Sequence, residues 1–138
     1  MRIKHQDKKN ALSIISASKK QMNYTLTLIS SDDSAFNIIR NIYECFRMLG
    51  DALLISEGKF LEDHIAQIKA LENLNLQTTR PIKIVDSLRK MRHNINYYGY
   101  TPTKIEADDA VSFAKDCYNL VFEKVKEIIE KTEQKSFI

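Results

Sequence analysis

The stretch Leu88-Arg-Lys-Met-Arg-His-Asn-Ile-Asn-Tyr-Tyr-Gly-Tyr100 gathers the side chains of this chain best suited to chemistry. On a helix, at 100° per residue, Arg89, Arg92 and Asn96 fall within a wedge of roughly 60°. They lie beside the apolar stripe of that helix and so line the edge of a groove. Arginine suits such a place because its planar fork grips a phosphate through paired hydrogen bonds. Tyr97, Tyr98 and Tyr100 follow at the helix end, able either to stack on a base or to close off a core. The alternative for Arg89 and Arg92 is an ion pair with a neighbouring acidic helix.

Charge patterning points the same way. Residues 78–104 hold six Lys and Arg against Asp86 alone, an excess of five positive charges, within a chain whose net charge is +3. Residues 31–63 hold seven Asp and Glu against three Lys and Arg, an excess of four negative charges. This asymmetry suits a phosphate-bearing partner, although a solvated basic helix produces it as well.

Other chemistry finds no support. There is no metal-ligand spacing, Gly-rich phosphate loop or Ser/His/Asp arrangement, and His5, His64 and His93 lie on three separate segments. No metal and no cofactor are expected. Cys45 and Cys117 lack C-x-x-C spacing and read as core thiols of a reducing compartment. No apolar run reaches the roughly 20 residues that cross a bilayer, and no signal-peptide core follows the N-terminus, so a cytoplasmic protein away from membranes is expected.

The elements that must position the arginines are helical. With 138 residues, 43% hydrophobic content, three Gly and two Pro, the chain reads as one all-α domain, its core about 7–131 and residues 132–138 a frayed tail. The spacing predicts a first helix from near Asp7 into the late twenties, with Leu12, Ile15, Met22, Leu26 and Ile29 as its stripe. A short strand over Tyr24–Ile29 is the alternative for its second half. The run from Ser30 to Ser34 is a turn whose side chains cap the next helix, and Ala35, Ile38, Ile39, Ile42, Phe46, Leu49 and Leu53 carry that helix toward a stop at Gly58. A third helix is predicted from Leu61 to about Leu74, with Ile65, Ile68 and Leu71 inward. A fourth starts around Thr79 with Pro81 in its first turn, buries Ile84, Leu88, Met91, Ile95 and Tyr98, and ends at Gly99. Thr103 and Glu106 form a capping box for the last helix, whose core face is Ala107, Val111, Ala114, Tyr118, Val121, Val125 and Ile128. Five helices on short loops make an up-and-down bundle.

The segment from Arg92 to Gly99, on the penultimate long helix and ahead of one more amphipathic helix, resembles the signature region of HEPN domains. The segment from Tyr43 to His64 is similar to that family's second helix, ending at a Gly with a His shortly after; the resemblance covers about residues 35–130. It implies a helical bundle that dimerises through the motif-bearing helices. In many members it implies a metal-independent ribonuclease in which an Arg holds the scissile phosphate and a His four to six residues later does acid–base work on the ribose hydroxyl. It also implies a nucleotidyltransferase-like antitoxin as possible partner, in a toxin–antitoxin or defence setting. Other members bind nucleotides, RNA or proteins without cleavage.

Carried over, Arg92 is the candidate catalytic residue, and Arg89, Arg92, Asn96 and Tyr98 are the candidate phosphate-binding residues. The chain departs from the pattern where the histidine should stand, since Tyr97 and Tyr98 occupy that place and His93 directly follows the Arg. Tyr97 and His93 are the candidates for the missing role, with His64 a further substitute, but a tyrosine with a pKa near 10 is a poor base at neutral pH. The expectation is a homodimer that binds nucleotide, RNA or a partner protein at an Arg-lined groove. Endoribonuclease activity and a purely assembling helical adaptor are the alternatives.

Overall fold

The computed structural model describes residues 2–3, 7–60 and 64–132. Five helices dominate them: α1 (Lys8–Thr25), α2 (Ala35–Ser56), α3 (His64–Glu72), α4 (Ile84–Tyr98) and α5 (Lys104–Lys131). The expected all-α bundle is the fold. One small addition is an antiparallel pair, β1 (Arg2–Ile3) with β2 (Lys59–Phe60), in which Arg2 stands opposite Phe60 and Ile3 opposite Lys59.

The sequence of α2 explains its place. Its apolar residues form a wide face, interrupted only by the polar strip Asn37, Arg40, Asn41, Glu44, Arg47 and Asp51, and a face that wide takes several neighbours to cover. Ile38, Ile39, Ile42, Tyr43, Cys45, Phe46 and Leu49 are all fully buried, and α1, α3, α4 and α5 each pack on this one helix. Each buried Ile or Leu contributes about 1.5–3 kcal/mol relative to exposure. Phe46 meets Phe113 at 5.3 Å between ring centres and the edge of Tyr118 at 5.4 Å, which ties α2 to α5. Burial pushes the Cys45 thiol up to about 12, so it is an unreactive core thiol, and Cys117 is buried as well.

A buried hydrogen-bond chain adds direction to this packing. Ser18 Oγ donates to the Cys45 carbonyl at 2.7 Å, so the hydroxyl of Tyr118, 2.6 Å away, is the donor to Ser18. One serine thereby joins α1, α2 and α5.

The boundaries differ from expectation in instructive ways. Helix α1 starts at an Asp7 cap whose side chain accepts from the Asn10 N–H, but it ends at Thr25. Residues 26–28 continue as turns, with no strand over Tyr24–Ile29, and Ile29 is 87% exposed instead of inward. The Ser34 hydroxyl does not cap α2. It donates to the Ile29 carbonyl and accepts from the Ser31 N–H, serving the turn itself. Helix α4 begins at Ile84, not near Thr79, because Pro81 to Lys83 form tight turns closed by bonds from Ile84, Val85 and Asp86. In α3, Ile65 faces solvent, while Gln67 is buried and donates to Asp51 at 2.7 Å. On α4, Val85 and Leu88 are buried, Ile84, Met91 and Ile95 are half-buried, and Tyr98 is exposed. The predicted helical residues 61–63 and the tail 133–138 lie outside the described residues, as does His5.

Gly50 marks the closest approach of two helices. A Cβ built there would lie 2.5 Å from the Gln67 carbonyl oxygen, so α3 sits on α2 at a distance only glycine permits. Alanine is the better helix former by about 1 kcal/mol, and yet here it must displace backbone. Gly50→Ala is therefore expected to destabilise the fold by about 1–3 kcal/mol, measured as a lower urea midpoint with unchanged slope. An equal or raised midpoint would remove the close α2/α3 contact.

Candidate functional site

The basic run of residues 78–104 is mostly neutralised once folded. Arg80 pairs with Asp109 at 3.1 Å, Arg89 with Asp86 at 2.8 Å, Lys90 with Asp86 at 3.5 Å and Lys104 with Asp108 at 2.7 Å. These are partly exposed pairs of modest individual worth. What they remove is the free charge that the linear sequence suggested. Lys83 and Arg92 alone in that run have no carboxylate partner among the described residues.

Arg92 has an unusual setting. It projects from the middle of α4 across the face of Tyr43 on α2, its guanidinium carbon 5.3 Å from the ring centre. The arginine is half-buried, and its Nε is buried with no hydrogen-bond acceptor among the described residues. Such an orphan N–H costs about 1–3 kcal/mol. The aromatic face offsets part of this, since stacking on a ring quadrupole favours a cation. Native structures pair nearly all such groups, so a buried donor without a partner marks a place where something else is to be bound or where function overrides stability.

Two more arginines stand around the same phenol, both already engaged. Arg47 Nε donates to Glu44 at 3.1 Å, and the same guanidinium pairs with Asp51. Arg89 Nε donates to Asp86 on its own helix. Burial raises the Tyr43 hydroxyl above its ordinary value, with Arg92 and then Arg47 pulling the other way. Tyr43 is thus a neutral phenol and a stacking surface, not a phenolate. The hydrogen bond from Arg89 holds the Asp86 carboxyl below the usual range.

The remaining predicted residues divide by helix face. Asn96, one turn after Arg92, shares its side of α4 and is exposed. His93 and Tyr97 stand together on another side, their ring centres 4.7 Å apart, and Tyr98 meets His93 edge-on at 5.7 Å. Tyr97 and Tyr98 are 69% and 76% exposed, so neither closes the bundle. Since adjacent helical residues project about 100° apart, His93 and Tyr97 do not converge with Arg92 on one point within a single chain. His64 begins α3, and its side chain lies outside what is described.

Tyr100 does something different from either expectation. Its hydroxyl donates to both carboxylate oxygens of Glu106, at 2.7 and 2.9 Å, buttressing the capping box in which the Thr103 N–H donates to Glu106 and the Glu106 N–H to Thr103. The αL residue Gly99, at φ 66°, makes that return of the chain possible.

Sequence reasoning missed Tyr43 as a site residue, together with the Glu44–Arg47–Asp51 ladder beside it. The ladder was readable, because opposite charges three and four residues apart meet on a helix. The Tyr43–Arg92 stack was not, since it needs the register of α4 on α2.

Compared with known proteins, the chain matches no family model, no curated protein and no solved structure.

The Thr103 N–H and the Tyr100 hydroxyl hold the Glu106 carboxyl below its ordinary value, in that order of effect. A depressed carboxylate contributes stability above its unfolded value and loses it as pH falls through the folded one. Tyr100→Phe is expected to move the Glu106 titration upward toward 4.5, followed by NMR of the side-chain carboxyl carbon. An unmoved midpoint would mean that the phenol contributes nothing to the cap.

Proposed function

We propose that this chain is a HEPN-like protein that binds a phosphate-bearing ligand, a nucleotide or RNA, along the α2/α4 edge, with Arg92 as the anion-holding residue. The observation that carries the reading is the Arg92 guanidinium: half-buried, laid over Tyr43, with an unpaired buried Nε, beside two arginines that are already neutralised. A phosphate at the accessible edge of this half-buried guanidinium supplies the missing negative charge. Asn96 on the same face supplies an amide for the ligand, and the exposed rings of Tyr97 and Tyr98 stand further round the helix end, where a longer chain of nucleotides stacks.

Binding is favoured over cleavage because His93 and Tyr97 project to a different side of α4 from Arg92. Without a proton-transfer group beside the phosphate, the site holds its ligand and does not cut it. On the same reading the chain works as a homodimer in a toxin–antitoxin or defence setting, with a nucleotidyltransferase-like protein as its partner.

The test uses a fluorescein-labelled mixed-sequence RNA and a labelled ATP in anisotropy titrations. The wild type is expected to bind at least one of them, more weakly as salt rises. Arg92→Ala is expected to lose about 10- to 100-fold, the worth of a hydrogen bond to a charged group. Arg92→Lys should recover only part, because a point charge does not stack on Tyr43. Equal binding by Arg92→Ala would sink the proposal. RNA cleavage that Arg92→Ala and His93→Ala abolish would replace it with the ribonuclease reading.

A further inference from the structure

The side of α2 that borders α4 continues past the Tyr43–Arg92 stack. Phe36, Arg40, Tyr43 and Arg47 follow one another at steps of four, three and four residues, so they share one side of the helix. Arg92 lies over Tyr43, which fixes that side as the one turned to α4. The two helices run in opposite directions: Tyr98, at the end of α4, comes shortly before Lys104, whose N–H donates to Asp32 just ahead of α2. Moving from Arg92 toward the end of α4 is therefore moving from Tyr43 back toward Arg40 and Phe36.

Charge divides this edge at Tyr43. On one side stand Glu44, Asp51 and Asp86, and each already holds a cation, Arg47 pairing with the first two and Arg89 and Lys90 with the third. On the other side, neither residues 35–43 of α2 nor residues 87–98 of α4 contain a carboxylate. Arg40 stands there, exposed, about 4.5 Å along the helix axis from Tyr43. It makes no ion pair among the described residues, and its guanidinium carbon lies 5.7 Å from the centre of the Phe36 ring. Such a stack steadies the side chain and leaves its N–H donors unused.

We infer that Arg40 is a second phosphate-holding residue of the α2/α4 edge, so that the ligand is a nucleotide strand with successive phosphates and not a single nucleotide. This rests on the reading of Arg92 given above and extends it. Two guanidiniums without carboxylates, one after the other along a shared edge, match a repeating anion. The strand leaves Arg92 in one direction only. Asp51 and Asp86 repel it toward the start of α4, while the exposed rings of Tyr97 and Tyr98 stand at the opposite end. Residues 35–43 span about 12 Å of helix, and Asp32 and Asp33 stand just beyond them, so the edge admits a short stretch of strand. An acidic peptide brings the same charge without bases, and the exposed tyrosines favour the nucleotide strand.

The test titrates the full chain with fluorescein-labelled octa-adenylate RNA by anisotropy between 50 and 200 mM KCl, and measures AMP by competition. The octamer is expected to bind more tightly than AMP, with log Kd rising against log salt at a slope of about 1.4, from two phosphates at about 0.7 each. Arg40→Ala is expected to cost the octamer about tenfold, to cut the slope to about 0.7 and to erase most of the preference over AMP. Arg40→Lys should keep the slope, because the charge remains. Arg40 is exposed, so the fold survives its loss, and circular dichroism checks it. Unchanged octamer affinity or slope in Arg40→Ala, beside a loss in Arg92→Ala, overturns the inference and leaves the reading of Arg92 standing. AMP bound as tightly as the octamer does the same. Binding of neither ligand, or indifference of both to Arg92→Ala, brings down that reading and the inference with it. An octaglutamate peptide that competes as well as the RNA also overturns the inference, in favour of an acidic peptide.

Discussion

The burial of α2 is the constraint on which the rest of the structure depends. A helix with Ile38, Ile39, Ile42, Tyr43, Phe46 and Leu49 all removed from water keeps only the strip of Arg40, Glu44 and Arg47 for solvent along its middle. Each neighbour is therefore defined by the side of α2 that it covers, with α1 and α5 touching one another on one flank and α3 and α4 on the other. Shape requirements follow locally. At Gly50 the packing demands the absence of a side chain, while at Tyr43 it supplies a polar ring whose face is covered by an arginine from the opposite helix. Interiors packed to crystal density leave little freedom in such choices.

Electrostatics gives the two flanks different characters. On the α4 side, cations and carboxylates alternate closely enough to satisfy one another, and a single guanidinium is left over. On the α1 side, Lys8 donates to the Glu130 carbonyl, Lys19 lies over the Phe122 ring and Lys126 approaches Glu130, so the charges there are held by backbone, ring and carboxylate on the neighbouring helix.

How much of this was legible in the sequence depends on whether the cause was local. Helix α5 was readable because Thr103 and Glu106 cap it through three residues of chain, and α2 because its apolar period persists over its whole length. The early end of α1 was not, since Leu26 and Ile29 keep a helical spacing from Met22 while the backbone has already turned. The late start of α4 has the same origin: Pro81 is compatible with a helix's first turn and with the tight turns that occur here. For the site, the side of α4 bearing Arg89, Arg92 and Asn96 followed from 100° per residue. Which of them would be neutralised did not, because Asp86 is an equally good partner on paper for Arg89 and Lys90 and takes both. The inward place given to Tyr98 failed because the last turn of α4 is exposed at residues 93, 94 and 96–98, with Ile95 alone half-buried there.

Asp32 acts far from its own place in the sequence. Its carboxylate sits in the turn between α1 and α2, seventy-two residues from the Lys104 N–H that donates to it at 2.7 Å. Thr103 takes the Glu106 N–H two residues on. Amides at the mouth of the longest helix, where anions are ordinarily welcomed by the backbone dipole, are thus already spent on the chain's own oxygens. The start of α5 thus carries its own anions, supplied by carboxylates from two distant stretches of the chain.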